Sequence, residues 1–217
     1  VREVLVDVNV GLPRCGCAPE AAGALADAAR RAGLGVRGVM GYEGHAVGIA
    51  ERAKREALCA ESMAKLAAAH ADVGGDVVSA GGTGTYDCNR TATEIQAGSY
   101  ALMDTAYAKL DLPFRQALFG LATVLSIGPG GGFAVADFGL KAHGMDHGNP
   151  SIDRANVWFC SDEHVTFAPE EGRRFAPGDR VRLVPAHVDP TVAYHGALWL
   201  VDGERVVERF EVDLRGW

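Results

Sequence analysis

Basic charge is scarce in this chain. Lys and Arg number 21 against 28 Asp and Glu, a formal net charge of −7 over 217 residues. That balance argues against a nucleic-acid-binding face or attachment to an acidic membrane. No apolar run is long enough to span a bilayer, and none has the layout of a secretory signal. Cys15, Cys17, Cys59, Cys88 and Cys160 are odd in number and scattered, and Cys15-Gly16-Cys17 is too tight for the usual zinc pairs. This usage argues against a disulfide framework and predicts reduced thiols in a cytoplasmic protein. An initiating methionine is missing too. Val1 opens on what reads as a strand, so the chain is expected to be the C-terminal part of something larger. Internal repeats and low-complexity tracts are absent.

What is there describes a globular protein, 48% hydrophobic and 23% charged, long enough for a real core and one or two domains. The first half alternates β-branched runs with Ala-rich, Leu-rich stretches. Glu3–Val10, Val36–Gly41 and Asp76–Ala80 read as strands, with Glu94–Tyr100 as a fourth. Pro19–Gly33 and Ala50–Asp72 read as helices, the first opening on Pro and closing on Gly. Strands separated by helices predict parallel βαβ units, in an (α/β) barrel or a doubly wound sheet.

After about Pro113 the helical signal disappears. Leu118–Ile127, Phe133–Asp137, Asn156–Cys160, Arg180–Pro185, Gly196–Val201 and Val206–Val212 are short apolar runs divided by Gly, Pro and Asp turns. They predict an antiparallel β domain. The expected fold class is therefore α/β plus β, with domains at 1–112 and 113–217.

Chemistry-bearing residues gather where a parallel sheet places function, at the C-terminal ends of strands. Asp7-Val-Asn-Val-Gly-Leu-Pro-Arg14 ends the first; a lone arginine there is also an ordinary surface charge. Gly41-Tyr42-Glu43-Gly44-His45 ends the second, and a turn with a satisfied histidine reads equally well. Ser79-Ala-Gly81-Gly82-Thr83-Gly84-Thr85 ends the third. Small residues let backbone N–H groups approach an oxyanion, although a plain flexible turn has the same composition. It is neither a Walker A loop nor G-x-G-x-x-G. Thr93-Glu-Ile-Gln96-Ala-Gly98-Ser99-Tyr100 adds small donors one strand later, and two such loops in succession favour one phosphate between them.

In the β domain, His187 and Asp189 stand two apart in a Val-rich stretch that reads as a strand, which would put both on one face as half of a divalent-metal site. A merely hydrogen-bonded pair remains the alternative. His164, in Ser161-Asp-Glu-His164, is a second candidate. His143, Asp146 and His147 cluster in Lys141–Pro150, which reads as a loop that shapes a pocket in preference to a second metal site. His70 and His195 carry no usable signal.

Taken in order, these groups resemble the fold-type III pyridoxal-phosphate enzymes of the D-threonine aldolase and D-serine dehydratase type, distant relatives of alanine racemase. The matching stretches also include Phe138-Gly-Leu-Lys141 and His187-Val-Asp-Pro-Thr191, and run through nearly the whole chain. The resemblance implies the C-terminal part of a (β/α)8 barrel followed by a β domain. It carries Gly81, Gly82, Thr83, Gln96, Gly98, Ser99 and Tyr100 onto the phosphate of pyridoxal 5'-phosphate, with Arg14 and Tyr42 flanking the cofactor. It implies a metal near the cofactor on His187 and Asp189. A carboxylate where dehydratase-type members have a cysteine favours Mn²⁺ or Mg²⁺ over Zn²⁺.

The implied function is retro-aldol cleavage of D-β-hydroxy amino acids. A D-serine dehydratase-like ammonia-lyase, a non-catalytic pyridoxal-phosphate-binding protein and a metal-free racemase-like enzyme are the alternatives. His45 and His164 are the candidate bases. A homodimer is implied, with a small D-amino acid as substrate and neither nucleic acid nor membrane as partner. The family's Schiff-base lysine lies on the first barrel strand, and none of Lys54, Lys65, Lys109 and Lys141 corresponds to it. The expectation is that it precedes Val1.

Overall fold

The computed structural model describes residues 1–213 and 215. The chain divides into two compact units, Val1–Tyr100 with Lys109–Leu112, and Ala101–Ala108 with Pro113–Trp217. Residues 101–108 thus group with the second unit, although the sequence pattern puts the division after 112. Their attachment is specific: Gln116 Nε2 donates to the carbonyls of Leu102 and Met103.

The first unit is a four-stranded parallel sheet in the order β1-β2-β3-β4. It runs β1 (Glu3–Asp7), α1 (Ala22–Arg31), β2 (Gly35–Gly41), α2 (Arg52–Val73), β3 (Val77–Ala80) and β4 (Glu94–Ile95). Cys59, Met63, Leu66, Ala69 and Val73 recur at helical spacing on α2 and are buried with Val6, Val39 and Val78 of the sheet. Full burial of a leucine such as Leu66 contributes about 1.5–3 kcal/mol. Two sequence expectations need correction. The Pro19–Gly33 helix begins as a 3-10 turn over Pro19–Ala21. The Glu94–Tyr100 strand is two residues long, because after Gln96 N donates to Ala80 O the small residues Ala97 and Gly98 lead into a 3-10 turn at Ser99–Ala101.

The second unit contains β5 (Gly120–Ile127), β6 (Ala134–Ala136), β7 (Ser151–Ile152), β8 (Ala155–Cys160), β9 (Val165–Pro169) and β10 (Arg180–Val184), then α3 (Val188–Tyr194), β11 (Ala197–Asp202) and β12 (Arg205–Glu211). β5 to β10 close into an antiparallel barrel in the order β10-β5-β6-β9-β8-β7, and β11 and β12 form a separate hairpin. Alternation sorts the barrel strands. Val181 and Leu183 of β10 are buried while Arg180 and Arg182 face out, and Ala122, Val124, Val165 and Phe167 complete the interior. β7, β9 and α3 were not foreseen from the sequence. Among the described residues, no helix is long and apolar enough to cross a membrane.

Candidate functional site

In the first unit, the strand ends converge on Glu43. This carboxylate is fully buried. Oε2 accepts from Gly81 N at 3.1 Å and Oε1 from Thr85 Oγ1 at 2.7 Å. Thr85 Oγ1 in turn accepts from Gly82 N at 3.1 Å. The loop after β3 is therefore drawn onto the end of β2. A side chain at Gly84 would collide with the carbonyl of Val47, so only glycine permits that approach.

The sequence placed Gly81 and Gly82 on a phosphate. The structure turns both amides inward, onto Glu43 and Thr85, and it is Thr83 that faces the next loop. Thr83, 2% exposed, accepts from Tyr100 N at 3.0 Å, which ties the two small-residue loops together. Gly98 and Ser99 lie on the joined loop. Gln96 is turned elsewhere: its amide donates to Ser79 Oγ at 3.1 Å, and that hydroxyl donates to Glu94.

The Arg14 guanidinium lies over the Tyr42 ring, 5.2 Å from its centre, and the Tyr42 ring edge lies against Gly82. His45 packs against Gly11, and its Nδ1 is buried with no protein partner. A small-residue cradle, an aromatic ring beside it and one buried orphan imidazole nitrogen fit a phosphorylated aromatic cofactor. Lys54 is exposed on α2, and Lys65 on the same helix pairs with Glu61 at 2.8 Å.

The second unit builds a different group. The sequence read His187 and Asp189 on a strand. His187 is extended (φ −143°, ψ 119°), but it caps α3, and Asp189 lies in that helix's first turn. The signal for this was in plain view. An Asp and a Pro in succession suit a first helical turn, where the dipole favours the carboxylate and no amide of Pro190 is needed.

The cap is held by buried polar groups. Asp104, fully buried, accepts from Val188 N at 2.9 Å. Thr191 Oγ1 donates to His187 O at 2.6 Å and accepts from Gly144 N at 3.0 Å. Gly144 pairs with His187 as an isolated antiparallel bridge, and its α-carbon sits against Pro190 where a side chain would clash.

These ties bring the 143–147 loop to His187. His187 Nδ1 lies 2.6 Å from Asp146 Oδ2, and its Nε2 lies 3.6 Å from Asp189 Oδ2. The His147 ring stacks on His187 with centres 3.9 Å apart at 12°. Burial pushes the Asp146 carboxyl up, but the hydrogen bond and charge of His187 outweigh it and hold the group below the usual carboxylate range. Asp146 and His147 are functional candidates that the sequence reading left as a pocket-shaping loop. Asp146, His147 and His187 each offer a donor atom within 4.8 Å of the others.

His143 belongs to the interior instead. It stacks on Phe138 at 5.1 Å and meets Cys160 Sγ at 3.6 Å. His164 is exposed on the turn between β8 and β9, its carbonyl accepting from Ser161 N at 2.8 Å. Lys141 pairs with Glu163 at 2.6 Å on the surface. A surface cavity of about 580 Å³ bounded by Ile127, Phe133, Pro169 and Arg173 includes none of these groups. The donor set of His187 and the two aspartates, nitrogen and hard oxygen, fits a divalent cation.

Two family models match the chain: the alanine racemase N-terminal domain over residues 1–105 and the putative serine dehydratase domain over residues 117–201. The chain is 35% identical over 235 aligned positions to a D-threonine aldolase of an Arthrobacter species, covering 99% of itself and 61% of that protein. It is 33% identical to a 3-hydroxy-D-aspartate aldolase of Paracoccus denitrificans (strain Pd 1222), covering 98% and 60%. Among solved structures, it matches a D-threonine aldolase from Filomicrobium marinum with a TM-score of 0.91 at 33% identity, over 99% of this chain and 63% of that one. A D-threo-3-hydroxyaspartate dehydratase from Delftia sp. HT23 shares the fold, with a TM-score of 0.83 at 22% identity over 99% and 66%. The chain thus spans about three fifths of the length of the curated relatives it matches.

Proposed function

We propose that this chain, which belongs to the D-threonine aldolase and D-serine dehydratase-like family of fold-type III pyridoxal-phosphate enzymes, is the C-terminal portion of a lyase acting on D-β-hydroxy amino acids. The observation that carries the reading is the meeting of His187 with Asp189 and Asp146 in the second unit. In this reading His187 and Asp189 hold a divalent cation, Mn²⁺ or Mg²⁺ in preference to Zn²⁺, because the Asp189 carboxylate is a hard donor and no thiolate stands beside it.

The first unit would hold pyridoxal 5'-phosphate. Thr83, Gly98, Ser99 and Tyr100 are assigned to its phosphate, with Gly81 and Gly82 shaping the loop through their inward amides. Tyr42 and Arg14 are assigned to its flank. Gln96, bonded to Ser79, is assigned to holding β3 and β4 together. When bound, the cofactor supplies an electron sink for a broken bond at Cα, and the cation polarises an oxygen of the substrate. His45 is the candidate for moving the substrate's β-hydroxyl proton, since its buried Nδ1 has no protein partner. His164 is the second candidate, and its exposure ranks it lower. Retro-aldol cleavage is preferred to dehydration because both curated relatives named above are aldolases and because the hard Asp189 suits a cation that keeps hold of the β-oxygen. A homodimer belongs to the same proposal.

The test uses protein expressed from its complete coding sequence. D-threonine should yield glycine and acetaldehyde faster than D-serine yields pyruvate. Chelation should stop turnover, and added Mn²⁺ should restore it. His187→Ala should be inactive while keeping the cofactor's absorbance. Full activity after chelation would overturn the reading, and pyruvate as the main product would move it to the dehydratase side.

A further inference from the structure

His187 faces two carboxylates, one on each ring nitrogen, and the two distances separate two roles. Nδ1 lies 2.6 Å from Asp146 Oδ2, and Nε2 lies 3.6 Å from Asp189 Oδ2. Adjacent ligand atoms that each sit about 2.0–2.2 Å from one ion lie about 2.8–3.1 Å apart in an octahedral set and about 3.3–3.6 Å apart in a tetrahedral one. The Nε2–Asp189 span, at 3.6 Å, lies at the upper end of these separations and leaves room for an ion between its atoms. The Nδ1–Asp146 span is too short to have an ion between its atoms, and is the length of a charge-assisted N–H···O hydrogen bond. An imidazole that donates its Nδ1 proton to a carboxylate keeps its Nε2 lone pair free and becomes a better donor to a metal.

We propose that Asp146 is the positioning residue of the cation site: it fixes the tautomer and direction of His187 so that Nε2 turns to Asp189, and it is not itself a ligand. The inference rests on the assignment of His187 and Asp189 as the ligand pair. Asp146 reaches Nδ1 because its loop is pinned to the cap of α3. The Gly144–His187 bridge and the two hydrogen bonds of Thr191 leave little freedom between the carboxylate and the ring it orients. His147 stacks on the His187 ring and limits its rotation. The rival arrangement makes Asp146, His147 and His187 three ligands of one ion, since a donor atom of each lies within 4.8 Å of the others. It requires the 2.6 Å hydrogen bond to open, which the positioning role does not.

The holoenzyme, stripped of metal by chelation with its cofactor retained, can be titrated with Mn²⁺ by calorimetry and with Co²⁺ for its visible band. Asp146→Ala should weaken Mn²⁺ binding about 10–100-fold. Asp146→Asn should recover part of the loss, because an amide oxygen still accepts the Nδ1 proton. At saturation, Asp146→Ala and His147→Ala should both give the wild-type Co²⁺ band, since no ligand has changed. Asp189→Ala should alter the band and lose affinity. Wild-type Mn²⁺ affinity in Asp146→Ala, or a changed Co²⁺ band in Asp146→Ala or His147→Ala, would overturn the positioning role. If Asp189→Ala keeps both affinity and band, the ligand pair itself is wrong, which is a separate failure. Cofactor absorbance and far-UV circular dichroism taken with each titration establish that every variant is folded. Asp146→Asn carries the test if the alanine variant is not.

Discussion

Asp104 and Val188 stand 84 residues apart and are joined by one buried hydrogen bond, carboxylate to amide, at 2.9 Å. The other oxygen of Asp104 accepts from Ala106 N and Tyr107 N, so one side chain begins both the turn that follows it and a distant helix. The position of His187, the residue before Val188, follows from that bond. Asp104→Ala leaves three amides without this acceptor, and each unsatisfied buried donor costs about 1–3 kcal/mol. Urea unfolding should shift by that order and Mn²⁺ should bind more weakly, although no ligand has been touched. Asp104→Asn should be milder. Unchanged Mn²⁺ binding in the alanine variant would mean that α3 holds its place without the cap.

Thr83 is the link between the two small-residue loops of the first unit. Thr83→Ala leaves Tyr100 N without its acceptor and loosens the join. Pyridoxal phosphate should then be lost on dialysis faster than from the wild type, followed by absorbance. Equal retention would place the phosphate elsewhere.

Glu43 makes the corresponding prediction for the loop's inner side. Glu43→Ala removes the acceptor of Gly81 N and Thr85 Oγ1 together, in a fully buried setting. It should lower stability by a few kcal/mol, about 1–3 kcal/mol for each stranded donor, and release the cofactor. Glu43→Gln should fall between, because an amide can accept on one side only. A Glu43→Ala protein that unfolds like the wild type would show that the loop is held by the Gly84–Val47 approach alone.

His143 gives a pH signature. Burial holds its imidazole below the ordinary value of 6.5, partly offset by the Gly144 carbonyl. The unfolded chain takes up the proton as pH falls through about 6.5 while the folded one does not. The unfolded state then binds more protons, so this contribution to stability is present above that pH and lost below it. The urea midpoint should fall from pH 7 to pH 5. His143→Phe, which keeps a flat ring against Phe138, should flatten the fall. An identical slope in that variant would show that the ring protonates freely in the folded state.

Much of the first unit was legible in the sequence. Val36–Gly41 and Asp76–Ala80 are β-branched and bounded by glycines, and α2 is built of strong helix formers, so local preference and tertiary need agree. The barrel strands were found where alternation is clear, as in Arg180–Val184, and missed where a strand is short or ends at a proline, as in Val165–Pro169. The strand reading at 187–191 followed Val188 and gave too little weight to Asp189-Pro190. The candidate pair His187 and Asp189 was visible because the two are neighbours in the chain. Asp146, 41 residues from His187, was not. Its place depends on Thr191 and Gly144, and nothing in the spacing of those residues announces a contact. The inward turn of the Gly81 and Gly82 amides was hidden for the same reason: it is imposed by Glu43, which comes from another strand.

The Asp189 carboxylate is 72% exposed, and its contact is with His187. The backbone beneath it is set by Asp104, Pro190 and Thr191. Scaffold and donor are thus separable at this position. A different side chain there would inherit the same placement, and the preference of the site for hard or soft ions can change in one substitution without any redesign of the protein that carries it.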